Sequence, residues 1–174
     1  QMQMIPCGYH RYYYRQEEML KHGLEEYNTI GTRAQQVKQT EEELFELYSH
    51  EELQEKPEQL AMRGGAKYSD AACNLIASIY TNKGDIQYVD VRNNGAIADL
   101  PMDSAVEVAC RITADGPQPI ATGDLRLPIS GYVHMMKTFE RLVIEAAIKG
   151  DRDLAVTALN MNPLCPSDEI ANIV

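Results

Sequence analysis

The sequence predicts an α+β fold in which helices flank a small, mostly antiparallel sheet. The first observation behind this prediction is that apolar residues recur at steps of three and four in the first and last parts of the chain, which is typical of helices with one buried face. The second is that apolar and polar residues alternate in the middle part, as they do in half-buried strands. At 174 residues, the chain is long enough to bury a core without disulfides or a structural metal.

Three helices are predicted in the first part of the chain. Residues 15–28 have a helical composition with one apolar stripe. Thr40 and Glu43 have the spacing of a capping box, which predicts that a second helix starts there. Ser69 is expected to cap a third helix that ends at Gly84. This third helix is expected to lie in the core through its apolar side chains, which are Ala72, Leu75, Ile76, Ile79 and Tyr80.

Two strands and further helices follow. Strands are predicted over 86–92 and 105–113, because apolar and polar residues alternate there. Turns containing glycine are predicted after each strand, at Asn93-Asn94-Gly95 and at Asp115-Gly116-Pro117. The remaining predictions are a long helix that starts at Ser130 and is closed by Gly150, a helix that starts at Asp151 and stops at Pro163, and a short helix from Ser167.

The charge and composition of the chain argue against several function classes. A net charge of −10 and a pI near 4.8 disfavour nucleic acid or an anionic membrane as the main partner, because both require a basic surface. No apolar stretch approaches the roughly 20 residues of a membrane span, and no signal-peptide pattern opens the chain, so a cytoplasmic protein is expected. The cysteines form no C-x-x-C pair, which predicts reduced thiols instead of a disulfide framework or a zinc site.

A cationic, tyrosine-rich segment lies near the start of the chain. Residues 6–15 read Pro-Cys-Gly-Tyr-His-Arg-Tyr-Tyr-Tyr-Arg, so that His10, Arg11 and Arg15 stand among four tyrosines in an otherwise acidic protein. A tyrosine, whose ordinary pKa is about 10, becomes a usable base only where nearby cations or a metal favour the phenolate. The segment is therefore either a proton-transfer site or an aromatic packing cluster with surface arginines.

A glycine turn beside an arginine is the second candidate site. Residues 63–70 read Arg-Gly-Gly-Ala-Lys-Tyr-Ser-Asp and lead into the helix predicted from Ser69. Backbone N–H groups at a helix N-terminus and an arginine fork both suit a phosphate. The alternative is a tight turn with a solvated arginine.

Paired amides beside a glycine mark the third candidate site. The loop after the first predicted strand runs from Arg92 to Asp103 and contains Asn93, Asn94 and Gly95. On the residues alone, this segment either lines a ligand pocket or forms a plain hairpin loop. Other site types find no support, because His134 has no partner at metal-binding spacing and no glycine fingerprint for a dinucleotide is present.

Taken in order, these segments resemble one family, glycoside hydrolase family 4, and within it the bacterial 6-phospho-β-glucosidases. The runs that carry the resemblance are Pro-Cys-Gly-Tyr-His-Arg-Tyr-Tyr-Tyr at 6–14, Arg-Gly-Gly-Ala-Lys-Tyr-Ser-Asp-Ala-Ala at 63–72, Asn-Asn-Gly-Ala-Ile at 93–97, Leu-Pro-Met-Asp-Ser-Ala-Val-Glu-Val at 100–108, Glu-Ala-Ala-Ile-Lys-Gly-Asp at 145–151 and Asn-Pro-Leu-Cys-Pro-Ser at 162–167. Together they extend over essentially the whole chain. The family is the NAD-dependent exception among glycosidases, and its lactate/malate dehydrogenase-like C-terminal domain is the fold that the resemblance implies.

The resemblance implies a redox mechanism. Members of the family bind NAD⁺ and a divalent metal, usually Mn²⁺, and cleave phosphorylated glucosides without a carboxylate pair. NAD⁺ takes hydride from carbon 3 of the sugar, and the metal polarises the resulting ketone, which acidifies the proton on carbon 2. A tyrosine then removes that proton, the aglycone leaves by elimination, water adds, and the hydride is returned.

The resemblance also implies roles for individual residues. Tyr9 corresponds to the catalytic tyrosine of the family and is the predicted general base, with Tyr12 as the alternative if the register is shifted. Arg63 matches an arginine expected near the sugar phosphate. Asn93 and Asn94 correspond to part of the loop that lines the pocket. No residue of the chain is predicted to hold the metal, and no cofactor-binding residue is assigned.

The resemblance predicts that residues 1–174 are the single C-terminal domain of a longer enzyme. The Rossmann domain of the family, with its metal-binding Cys and His and its acid Asp, belongs to the N-terminal half, and Cys7 in the tyrosine motif is not that metal ligand. The expected partners are therefore the N-terminal half, a 6-phospho-glucoside and further copies in a homo-oligomer. Alone, the chain is expected to bind no cofactor and to be inactive. The alternatives are a non-catalytic sugar-phosphate binding module, an oligomerisation module, or an α-glycosidase or galacturonidase relative within family 4.

Overall fold

The computed structural model describes residues 7–63 and 67–173. Its elements, in chain order, are a 3-10 helix Gly8–His10, α1 Arg11–Tyr14, α2 Gln16–Ile30, α3 Arg33–Tyr48, α4 Gln59–Arg63, α5 Tyr68–Tyr80, β1 Ile86–Arg92, β2 Ala105–Thr113, β3 Gly116–Pro119, α6 Leu127–Lys149, α7 Arg152–Met161 and α8 Asp168–Ile173. Residues 9–77 form one compact unit, and the described residues before and after them belong to a second. The α+β class is confirmed, whereas the single C-terminal domain of a longer enzyme stays a prediction.

Helix α3 starts earlier than the sequence predicts. The Thr32 hydroxyl accepts a hydrogen bond from the N–H of Gln35 at 3.2 Å, and the Gln35 side-chain oxygen accepts one from the Thr32 N–H at 2.7 Å. The predicted start at Thr40 is therefore wrong, because Thr40 lies inside α3 and donates to the carbonyl oxygen of Gln36 at 3.0 Å. Both threonines have the capping-box spacing, and no glycine or proline lies between them, so the earlier threonine caps the helix.

Helix α5 has the predicted apolar face, but that face is largely exposed. Only Ser78 is buried within α5, and Ile76 and Tyr80 are 66% and 90% exposed. The prediction of a core helix is therefore wrong for the described residues. The helix also begins at Tyr68, so that Ser69 lies inside it and is not its cap. Periodicity shows which side of a helix is apolar, but it does not show what covers that side.

The three strands form one antiparallel sheet in the order β1-β2-β3. The bounds of β1 and β2 are those that the alternation of apolar residues predicts. Val89 of β1 lies opposite Val108 of β2, which fixes the register. One face of β2 is buried and contributes much of the core of the second unit through Val106, Val108, Cys110 and Ile112. Burial raises the pKa of the Cys110 thiol.

The long helix α6 starts at Leu127 and has Pro128 in its first turn. Proline has no N–H, but the N–H groups of the first turn have no acceptor within the helix, so no helical hydrogen bond is lost. The predicted start at Ser130 is therefore wrong. Gly150 closes α6 in the left-handed conformation at φ 65°, and Asp151 caps α7, both as predicted. Among residues 7–63 and 67–173, no helix has both the length and the apolarity that a bilayer crossing requires.

Candidate functional site

The predicted base, Tyr9, lies in the 3-10 helix ahead of α1, and the residue is 74% exposed. Its ring stacks on Tyr12, with the centroids 6.4 Å apart and an interplanar angle of 24°. The guanidinium carbon of Arg11 lies 5.6 Å from the Tyr12 ring centroid, within the range of a cation–π contact. The segment therefore combines an aromatic cluster with a solvent-exposed phenol, and it brings the two candidate tyrosines together beside a cation.

Arg63 ends α4 and is attached to α3. Its Nε donates a hydrogen bond to Oε1 of Glu41 at 2.7 Å. Nη2 of Arg33, also on α3, donates to the carbonyl oxygen of Met62 at 2.6 Å. The end of α4 is thus held both by its backbone and by the Arg63 side chain. Within the segment predicted over 63–70, both glycines of the turn lie outside the described residues.

Asn93 is fully buried and holds the loop between β1 and β2. Its Nδ2 donates to the carbonyl oxygens of Ile97 and Leu100, both at 2.9 Å, and to that of Pro101 at 3.2 Å. Its Oδ1 accepts from the N–H of Ile97 at 2.8 Å. The amide is therefore occupied by the loop itself, which makes Asn93 a structural residue. Its predicted contact with a substrate stays a prediction.

Asn94 differs from its neighbour because it is exposed. Its backbone adopts the left-handed conformation at φ 44°, which asparagine tolerates better than most residues, and Gly95 follows at φ 88°. The Asn94 N–H donates to the carbonyl oxygen of Met102 at 3.0 Å. Because the loop backbone is fixed at this point, the exposed Asn94 is presented at a defined position. It is the better placed of the two amides for a ligand contact.

His134 of α6 binds the same loop, a contact that residue spacing could not reveal. Its Nδ1 lies 2.8 Å from the carbonyl oxygen of Ser130, and its Nε2 lies 2.9 Å from that of Asp99. A neutral imidazole has only one N–H, so two acceptors favour the protonated ring. The two carbonyl oxygens, together with the Asp99 carboxylate 3.7 Å from Nε2, raise the pKa of His134 above 6.5 against the opposing effect of burial.

We expect the free energy of unfolding to fall as the pH rises through the folded-state pKa of His134. The folded pKa lies above the unfolded value, so the folded chain binds the proton more tightly. The resulting stabilisation is fully present below the unfolded pKa and is lost above the folded one. Urea unfolding of the chain over a pH series measures it, with His134→Gln as the control that loses this contribution. Equal pH dependence in both chains would contradict the prediction.

The predicted site residues fall into two groups. Tyr9 and Arg63 belong to the unit formed by residues 9–77, and Asn93 and Asn94 belong to the other. Within the part of the chain that the structure describes, no hydrogen bond or ion pair joins Tyr9 to Arg63.

Neither a metal site nor a dinucleotide site is formed by the described residues. No group of three His, Cys, Asp or Glu side chains in residues 7–63 and 67–173 could hold a metal ion. The described sheet is antiparallel, whereas a dinucleotide fold requires parallel strands joined by helices. Within residues 7–63 and 67–173, the donor groups and the sheet topology therefore form no complete site for a divalent metal or a dinucleotide.

The chain matches known proteins over nearly its full length. A family model described as the family 4 glycosyl hydrolase C-terminal domain matches residues 1–165. A "Probable 6-phospho-beta-glucosidase" of Bacillus subtilis (strain 168) is 57% identical over 170 residues, which make up 98% of this chain and 38% of that protein. The chain thus spans less than half the length of this relative.

Two solved structures have a similar fold. The 6-phospho-β-glucosidase from Thermotoga maritima, solved with manganese, NAD⁺ and glucose-6-phosphate, superposes with a TM-score of 0.83 at 38% identity, over 95% of this chain and 38% of that one. A 6-phospho-α-glucosidase from gut microorganisms, in complex with NAD and glucose-6-phosphate, has a TM-score of 0.80 at 25% identity, over 97% of this chain and 37% of that one. The chain therefore belongs to the C-terminal domain family of the family 4 glycosyl hydrolases.

Proposed function

We propose that the chain is the C-terminal part of a 6-phospho-β-glucosidase, which hydrolyses 6-phospho-β-glucosides by redox elimination with NAD and a divalent metal, manganese first among the candidates. The observation that carries the proposal is that identity to the β-type relatives exceeds identity to the α-type structure. These relatives are more than twice as long as the chain. The activity is therefore proposed for a longer enzyme, in which the remaining part holds the cofactor and the metal.

In the proposed reaction, Tyr9 accepts a proton from carbon 2 of the sugar. The bound cofactor and metal contribute the redox and Lewis-acid chemistry that makes this hydrogen acidic. The role of Tyr9 is supported by its exposure and by its position in the tyrosine-rich segment of residues 6–15. Loss of the aglycone, addition of water, and return of the proton to carbon 2 and of the hydride that the cofactor would have taken from carbon 3 then complete the hydrolysis, with no net oxidation of the sugar.

Two separate contacts with the substrate are proposed, one for Arg63 and one for the loop after β1. Arg63 offers a planar guanidinium, which can donate two parallel hydrogen bonds to a phosphate. Asn94 is proposed to contact the sugar through its exposed amide. Asn93 contributes to binding through the loop conformation that its buried amide holds.

The chain alone is expected to release no chromophore from a chromogenic 6-phospho-β-glucoside, with NAD and manganese present. The longer enzyme should hydrolyse this compound, and it should prefer the β-anomer to the α-anomer. Turnover by the pure chain would contradict the proposed division of the active site. Tight binding of glucose-6-phosphate by the chain, with no turnover by the longer enzyme, would indicate a sugar-phosphate binding module instead.

Two further properties are proposed for the longer enzyme. A cytoplasmic location fits a substrate whose charged phosphate prevents it from crossing a bilayer. A homo-oligomeric state is supported by apolar residues that α6 exposes, among them Ile144 and Ile148. Light scattering of the longer enzyme and of the chain measures the oligomeric state, and a monomeric longer enzyme would refute this second property.

A further inference from the structure

The side chain of Arg63 is held by a carboxylate on a neighbouring helix. Oε1 of Glu41 accepts a hydrogen bond from Arg63 Nε at 2.7 Å, and the side chains of Arg63 and Glu41 are 48% and 35% exposed. Arg33 fixes the backbone directly before Arg63 through the carbonyl oxygen of Met62. Both contacts come from α3, which is a long helix with a complete capping box at its start. The head and the backbone of Arg63 are therefore fixed to the same rigid element.

The hydrogen bond to Glu41 uses the Nε edge of the Arg63 guanidinium and leaves the edge formed by the two Nη atoms for another ligand. A guanidinium can bind an oxyanion through Nε and one Nη, or through its two Nη atoms. Glu41 occupies Nε, and the two Nη atoms of Arg63 form no hydrogen bond with any residue that the structure describes. The Nη edge thus has the geometry to donate to two oxygens of a phosphate.

We propose that Glu41 is a positioning residue for the substrate phosphate, because it fixes the plane of the Arg63 guanidinium and directs the Nη edge to the ligand. This inference rests on the proposed function, in which Arg63 binds the sugar phosphate. Glu41 itself does not contact the substrate in this proposal.

Two opposing effects decide whether Glu41 strengthens or weakens phosphate binding. Its negative charge repels a phosphate, but at a half-exposed site the high dielectric constant of the solvent weakens this repulsion. An unattached arginine loses rotamer freedom each time it binds a ligand, whereas an arginine already held in place has lost that freedom beforehand. The proposal requires that the ordering effect be the larger, so that Glu41 favours binding, and the Glu41 variants test which of the two effects prevails.

The test is the steady-state kinetics of the longer enzyme with a 6-phospho-β-glucoside at physiological ionic strength. Glu41→Ala is expected to raise KM about three- to ten-fold with kcat nearly unchanged, because Arg63 must then be ordered by the substrate. Glu41→Gln keeps an oxygen that can accept from Nε and is expected to restore KM to near the wild-type value. Glu43→Ala removes the same charge from α3, at an exposed position without a contact to Arg63, and should leave KM unchanged.

Each other outcome overturns the inference in a distinct way. A lower KM in both Glu41 variants would show that the carboxylate competes with the phosphate instead of positioning Arg63. An unchanged KM in Glu41→Ala, while Arg63→Ala raises KM, would overturn the inference and leave the proposed function intact. An unchanged KM in Arg63→Ala would remove the phosphate site itself. If Glu41→Ala fails to fold in a thermal unfolding control, Glu41→Met, which is similar in size but cannot accept from Nε, decides instead: its inhibition by glucose-6-phosphate is expected to be weaker than in the wild type, and equal inhibition would overturn the inference.

Discussion

Replacing Tyr9 by phenylalanine is expected to lower kcat of the longer enzyme by about a hundred- to ten-thousand-fold, the range that a positioned general base contributes. The phenyl ring keeps the stacking on Tyr12 but has no hydroxyl to accept the proton from carbon 2. Incorporation of solvent deuterium at carbon 2 should therefore cease together with hydrolysis. NAD affinity, measured by titration, should stay unchanged, since the proposed role of the Tyr9 hydroxyl is proton transfer and not cofactor binding.

Tyr12 provides the matched control for this substitution. It belongs to the same segment, stacks on Tyr9, and is less exposed than Tyr9. Tyr12→Phe is expected to retain most of the activity and the exchange at carbon 2. If Tyr12→Phe shows the large loss and Tyr9→Phe does not, the base is Tyr12 and the assignment of Tyr9 is refuted. Unchanged exchange in both variants would remove the proton-transfer role from this pair of tyrosines.

Replacing Asn93 by alanine is expected to lower the free energy of unfolding of the chain by about 3 to 5 kcal/mol. The substitution removes all hydrogen bonds of a fully buried amide, so the N–H of Ile97 and the carbonyl oxygen of Leu100 lose a partner where water cannot easily replace it. It also leaves a small cavity under the loop. Urea unfolding of both chains measures the difference.

Asn94→Gly is the control for the Asn93 substitution. Glycine accepts the left-handed backbone of this position, so the variant removes the exposed side chain without strain. Its stability is expected to remain within about 0.5 kcal/mol of the wild type, as for most surface substitutions. A comparable loss of stability in both variants would show that the buried amide is not what holds the loop.

The parts of the fold that the sequence could predict are those with local signals. β1 and β2 were predictable because the alternation of apolar residues is a property of each strand alone. The boundary between α6 and α7 was predictable because Gly150 is typical of a helix end and Asp151 of a helix start. The start of α3 was not predictable in the same way, because two threonines offer the same cap spacing and only one can be used. The exposure of α5 depends on what packs against it, which periodicity does not contain.

The candidate site also combines features that the local sequence predicts with contacts that depend on the three-dimensional fold. Tyr9 and Tyr12 are close in the chain, and their segment was recognisable from its composition. Glu41 and Arg63 are 22 residues apart, and His134 and Asp99 are 35 apart. Single polar side chains at such separations follow no period, so their contacts emerge only when the helices and the loop are placed in three dimensions. Asn93 was recognisable as part of a turn, but its burial was not, because asparagine is typical of exposed loops as well.

Because Cys110 is buried, the rate of its alkylation reports how often the native chain opens around β2. Its thiol is fully enclosed, and the raised pKa keeps the reactive thiolate scarce, whereas Cys7 and Cys73 are exposed and Cys165 is partly so. Alkylating agents will modify the accessible sulfurs first and reach Cys110 only when β2 separates from its neighbours. After the accessible thiols have been blocked, pulses of iodoacetamide therefore time these opening events in the native chain, without an engineered label.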